Sequence, residues 1–224
     1  MAAPPPRLRQ VFLLSPAHCG GRRASILMRP GAASPLAVRL REGQLRLGEA
    51  FSFMSGLYFR GKLTYALHFN RVNGPESTSL VITPTRGLQP PEMPVSLALL
   101  EEFARTDIAS GGSAYREPLA RDLDTLAQRL SSDATVVLLG SIATQKYVDV
   151  LAPALGTRLH FPTSFIGRGD MSRGGLLLRC AADNAELDYA PLDPSASRRG
   201  HRPPRLDRRQ PVAVDHDVRA TLSD

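Results

Sequence analysis

Thr135-Val136-Val137-Leu138-Leu139-Gly140 decides the fold. Its run of four large apolar residues has no polar face, so it must be covered on both sides, as a central strand of a parallel sheet is. Outward from it, apolar runs alternate with helical patterns. Residues 10–14 read as a first buried strand closed by Ser15-Pro16, and Ser79-Leu-Val-Ile-Thr-Pro84 as a second. Residues 158–161 form a short fourth strand, and 186–190 an edge strand.

The segments between them carry helix signals. Residues 24–28 make a short helix stopped by Pro30, and Ser34-Pro35 caps and opens another that runs through Arg41 and ends at Gly43. In 56–70, Phe59, Leu63, Ala66 and Leu67 share one helical face. Ser96 caps a helix over 97–105, and beyond Gly111-Gly112 an amphipathic helix carries Leu119, Leu123, Leu126 and Leu130. Tyr147, Val148, Leu151 and Leu155 mark a helix ending at Gly156, and a last helix spans 171–182. This order predicts an α/β fold, a three-layer αβα sandwich with a mostly parallel central sheet of four to five strands. A flexible stretch 1–9 precedes the single domain 10–190. A tail 191–224, rich in Pro, Arg, Asp and Ser, is expected to be disordered.

A chain of 224 residues can bury one substantial core. The formal charge is +7, and 191–224 holds 7 arginines and 5 aspartates, a net of +2, so about +5 belongs to the folded part. Such an excess favours polyanionic partners. Two cysteines, Cys19 and Cys180, exclude a disulfide scaffold and fit a reducing compartment. The apolar run Val11–Leu14 is too short for a signal-peptide core or a membrane span, so a cytoplasmic protein without membrane contact is expected.

Ligands on open α/β sheets bind at the carboxyl ends of the strands. Four loops fall there: Ser15 to Arg23, Thr83 to Gln89, Gly140 to Gln145 and Phe165 to Gly175. The last is the richest, with four glycines, Arg168, Asp170, Ser172 and Arg173 between two apolar runs. Glycine lets backbone approach a ligand, and guanidinium grips phosphate or carboxylate with a forked geometry. The candidate ligand-binding set is Ser15, Gly21, Arg22, Thr83, Arg86, Gly87, Gly140, Ser141, Gly167, Arg168, Gly169, Ser172 and Arg173. Arg22, Arg86, Arg168 and Arg173 would hold phosphate. Asp170 is the catalytic candidate, a base or an orienting group, with a plain helix cap as the alternative.

Gly56-Leu57-Tyr58-Phe59-Arg60-Gly61-Lys62-Leu63 nearly matches a P-loop. Leu63 stands where a hydroxyl must hold magnesium, and Tyr58 and Phe59 fill the loop, so the segment reads as a helix whose Arg60 and Lys62 point toward the ligand. His18 and Cys19 suggest a nucleophile, but no partner sits at a matching spacing. His68 and His160 read as packing residues, His201 and His216 fall in the tail, and no metal constellation is found.

Leu80-Val-Ile-Thr-Pro-Thr-Arg-Gly-Leu-Gln-Pro-Pro-Glu92 resembles a strand-to-turn motif of uncharacterised α/β domains related in fold to uracil-DNA glycosylases, one of which occurs in archaeosine-synthesis proteins. Thr83, Gly87, Leu88 and Pro90 would take the turn positions, and Ser15-Pro16 the first loop. The likeness covers about a dozen residues and the order of elements. The chain lacks the Gly-Gln-Asp-Pro and His-Pro-Ser motifs of true uracil-DNA glycosylases, so no catalytic residue carries over. The resemblance implies the fold and a nucleobase- or nucleotide-like ligand. Two functions are expected from these readings: a protein binding an anionic nucleotide, nucleoside or nucleobase, with or without chemistry on it, or a non-catalytic nucleic-acid-binding accessory protein using its basic surface and tail. The cofactor is left open.

Overall fold

The computed structural model describes residues 7–142 and 145–192. They form an α/β sandwich around a six-stranded sheet. In chain order the strands are β1 (Leu8–Leu14), β2 (Ser77–Ile82), β3 (Leu88–Gln89), β4 (Leu130–Leu139), β5 (Leu159–Pro162) and β6 (Tyr189–Pro191). Their spatial order is β3-β2-β1-β4-β5-β6, with β1 parallel to β2 and β4, β4 parallel to β5, and the edge strands β3 and β6 antiparallel. The helices are α1 (Arg22–Met28), α2 (Pro35–Arg41), α3 (Leu47–Ser55), α4 (Leu57–Asn73), α5 (Leu97–Arg105), α6 (Ser113–Arg129), α7 (Gln145–Leu155) and α8 (Asp170–Ala182).

Strand side chains alternate faces, so a strand apolar throughout feeds two cores. Phe12, Leu14, Val137 and Leu139 bury against α1 to α5 and α8. Val11, Leu13, Val136 and Leu138 bury against α6 and α7 on the other side. This is the expected three-layer architecture, but with six strands rather than four to five, because Leu88 and Gln89 turn back to pair with β2 as an extra two-residue edge strand.

Caps fall where the side-chain chemistry puts them. Ser34 Oγ accepts from the Ala37 amide at the start of α2, and Ser96 Oγ from the Leu99 amide at the start of α5. Ser96→Ala should cost about 1 kcal/mol in a denaturant melt, because the cap satisfies an amide the helix cannot. Helix α3 was not anticipated. Its Leu47, Ala50, Phe51 and Met54 repeat at helical spacing and are all buried. Glu49 accepts from the Arg46 amide and from Nη1 and Nη2 of Arg39 at 2.6 and 2.8 Å, and that pairing holds its carboxyl below the usual range.

At the chain ends, β1 takes in Leu8 and Arg9, which the sequence places in the flexible stretch. Pro191, assigned to the tail, pairs with His160 in β6, and Leu192 is buried in the second core. The rest of the expected tail, with His201 and His216, and residues 1–6 lie outside the described residues. Among the described residues no helix is long and apolar enough to cross a membrane.

Candidate functional site

From β1 the chain passes to α1–α4 on one face of the sheet, and from β4 to α7 on the other. The loops after these neighbouring strands therefore part and open a crevice at their carboxyl ends. A cleft of about 510 Å³ lies there. Each of the four loops picked out in the sequence contributes to it: Ser15 to Cys19 after β1, Pro84 after β2, Ser141 after β4, and Asp170 at the start of α8. A further wall comes from Phe103 to Ala109, the end of α5 and the segment after it, and Lys146 and Tyr147 of α7 close the side.

Beneath Ser15 lies Lys62 of α4, 1% exposed. Its Nζ donates to the Ser15 carbonyl at 2.5 Å and to Ser15 Oγ at 2.8 Å. The ammonium is 4.5 Å from the Tyr58 ring centroid and 5.0 Å from that of Phe59. Burial penalises its charged form and brings its pKa down to about 7, with Asp170 opposing the fall and Arg173 and Lys146 adding to it. The amine is thus divided between charged and neutral forms near neutral pH.

Tyr58, the second residue of α4 and part of the cleft lining, carries another buried polar atom. The residue is 7% exposed, and its hydroxyl has no hydrogen-bond partner among the described residues. Burial pushes its pKa up to about 12. Arg173 opposes this from nearby without meeting hydrogen-bond geometry. An unpaired buried hydroxyl costs about 1–3 kcal/mol, so such atoms are rare unless something completes them. Tyr147 stands across the cleft with its hydroxyl beside Ser15.

The other sequence candidates divide by role. Thr83 is fully buried under the cleft: its amide and Oγ1 both donate to the Gly87 carbonyl at 2.9 Å, and Oγ1 accepts from the Arg86 amide. Gly87 has φ of 61°, and a Cβ there would stand 2.1 Å from Asp122 Oδ2 and 2.6 Å from the Pro118 carbonyl. The motif Thr83–Pro90 is therefore a turn that only glycine completes. Gly140 backs Ser15, since a Cβ on it would lie 3.0 Å from Ser15 Cβ. Gly21 and Gly169 sit at the N-caps of α1 and α8, and Gly167 bends the loop before α8.

The four arginines expected to converge on phosphate do not line this cleft. Arg22 is exposed on the first turn of α1, and Arg86 pairs with Glu102 at 2.7 Å. Arg168 donates to the Ser164 carbonyl and to Ser172 Oγ, tying the loop to the first turn of α8. Arg173 is buried: Nε and Nη2 donate to the Phe165 carbonyl at 3.2 and 3.1 Å, and Nη1 is 3.6 Å from Asp170. A carbonyl in an irregular loop needs a donor, and that need takes these guanidiniums. Arg60, also expected to face the ligand, is exposed and outside the lining.

The cationic rim comes instead from Arg105 and Lys146, with His18 beside them and Asp107 and Asp170 as its acids. Arg105 and Asp107 lie where the sequence shows only a helix end and a turn, and no local pattern links them to Ser15. The Cys19 thiol is buried and pushed up to about 12, so it is not the nucleophile that its place beside His18 suggests. His68 bonds Asn184, and His160 lies by a second, open cleft of about 720 Å³ at the opposite ends of the strands. Among the described residues no group of three or more His, Cys, Asp or Glu could hold a metal ion. Comparison with protein-family models, curated proteins and solved structures gives no match to this chain.

Proposed function

We propose that the cleft at the carboxyl ends of β1, β2 and β4 binds an anionic nucleotide-, nucleoside- or nucleobase-like ligand, in the cytoplasm. The observation that carries this reading is the unpartnered Tyr58 hydroxyl, buried on the wall of a concavity of about 510 Å³. That volume suits a molecule of nucleoside size. The Tyr58, Phe103 and Tyr147 rings offer apolar and stacking surface for a base, and Arg105 and Lys146 offer charge to a phosphate. Ser15, Ser141 and the Tyr58 hydroxyl supply the few polar contacts that orient a ligand in such a site. The likeness of Leu80–Glu92 to glycosylase-related domains points to the same ligand class and to no particular reaction. Two free cysteines, Cys19 and Cys180, accord with a reducing compartment.

A melting-temperature screen of nucleosides, nucleotides and free bases tests the reading. A ligand at 100 times its Kd should stabilise the fold by about 2.7 kcal/mol. Tyr58→Phe should leave the unliganded melting temperature unchanged or higher, since it removes an unsatisfied hydroxyl, yet reduce the ligand's shift. Arg105→Ala with Lys146→Ala should reduce the shift for phosphorylated ligands more than for nucleosides. Binding only to long polynucleotides, steeply weakened by salt and indifferent to these substitutions, would replace this function with the accessory-protein reading.

A further inference from the structure

Ser15 and Lys62 are placed as a reacting pair. Ser15 Oγ and Lys62 Nζ are 2.8 Å apart, and the Ser15 carbonyl, 2.5 Å from Nζ, holds the amine in register with the hydroxyl. Only Ser15 is on the cleft lining, and Lys62 is sealed beneath it. A bound molecule can therefore touch the hydroxyl, while the amine acts only through it. We propose that Ser15 is a nucleophile and Lys62 its general base, so that the cleft hydrolyses a carboxylic ester or amide by way of a Ser15 acyl intermediate. Arg105 and Lys146, which share the rim with Asp107 and Asp170, give an anionic group on the acyl substrate two cations to pair with.

The chemistry balances with water as the only co-reactant. Ser15 Oγ bonds to the carbonyl carbon as its proton passes to neutral Lys62 Nζ. The tetrahedral oxyanion then collapses, breaking the bond to the leaving oxygen or nitrogen, which takes a proton from cleft water and departs, leaving hydroxide. Hydroxide attacks the acyl carbon, the Ser15 ester bond breaks, and Oγ takes its proton back from Nζ as the acid leaves.

Several neighbours fix the pair. Gly140 packs against Ser15 Cβ, and Ser15 N and Oγ both donate to the Leu139 carbonyl, at 3.2 and 3.3 Å. The titratable groups facing Lys62 are Tyr58 on its own helix, Asp170 and Arg173 from α8, and Lys146 from α7; Tyr147 faces Ser15. Of the ionic groups among these, only Asp170 favours the charged amine.

The inference rests on the cleft being a ligand site but not on the ligand being a nucleotide. The full chain treated with a small dialkyl fluorophosphonate should gain one phosphonyl group, mapped to Ser15 by peptide mass spectrometry and absent in Ser15→Ala. Lys62→Met should slow the labelling about 100-fold, the usual contribution of a positioned base. The wild-type rate should rise with pH through about 7 and then level off, as the amine loses its proton. No Ser15 adduct, or an adduct formed equally fast in a folded Lys62→Met protein, overturns the proposal. If that variant does not fold, the wild-type profile decides: a rate that climbs with hydroxide and never levels off overturns it. Labelling without any nucleotide shift retains the dyad and removes the nucleotide class; a nucleotide shift without labelling does the reverse.

Discussion

Gly61→Val should destabilise the protein by about 3 kcal/mol in urea melts, the upper part of the range for overpacking a close contact. Helices α4 and α8 cross with glycine on both sides. A Cβ on Gly61 would lie 2.6 Å from the Gly174 carbonyl oxygen and 2.9 Å from its Cα, and a Cβ on Gly174 would lie 2.6 Å from the Leu57 carbonyl oxygen. These are backbone atoms, so no side-chain rotation relieves the clash and the helices must separate. Separation also displaces Lys62, the next residue on α4, from Ser15, so fluorophosphonate labelling should fall along with stability. Arg60→Ala, one residue earlier on an exposed position, should stay within about 0.5 kcal/mol of wild type. A Gly61→Val protein as stable as Arg60→Ala would mean that the crossing tolerates a wider spacing.

Lys62→Met should stabilise the protein at pH 6, with an advantage that disappears as pH rises toward 10. The lysine pKa is 10.5 in the ordinary state and about 7 in the fold, where burial lowers it. Below about 7 the ammonium is charged in both states, and the folded protein bears the whole cost of burying it. Between 7 and 10.5 the unfolded chain holds a proton that the folded one lacks, so wild-type stability climbs by up to ~1.4 kcal/mol per pH unit. Above 10.5 both states are neutral and the cost is gone. Other titrating groups cancel in the difference between wild type and variant measured by paired urea melts. A difference that stays flat from pH 6 to 10 would show that the amine titrates at its ordinary value and has no role as a base. A stabilised but unreactive Lys62→Met protein is the pattern expected of a residue kept for chemistry at the expense of stability.

The strands could be read from local composition because burial on both faces leaves a continuous apolar run, as in Val136–Leu139. Ser34, Ser96 and Gly156 marked helix ends because capping is an interaction over three or four residues. Helix α3 shows the limit of that reading. Its apolar spacing is regular, but its two anchors, Arg39 and the chain's path past Met93, are separated from it in sequence or carry no pattern.

The glycines and arginines of the candidate loops were visible as unusual, but not the task each performs. Gly61 and Gly174 look like parts of a phosphate loop and a glycine-rich turn, and both are spent on one helix crossing. Arg168 and Arg173 look like ligand clamps and serve carbonyl and hydroxyl groups of their own loop. A guanidinium bonds whichever acceptor the fold brings nearest, and sequence spacing does not say which that will be.

By itself, then, the sequence determined the layered α/β arrangement and the end of the sheet where loops gather, since both follow from periodicity and strand order. Tertiary structure alone decided which side chains meet there. Ser15 and Lys62 are 47 positions apart and touch only because α4 crosses beneath the first loop. The amine's depressed pKa has the same origin, since desolvation depends on everything packed around an atom and not on its neighbours in the chain.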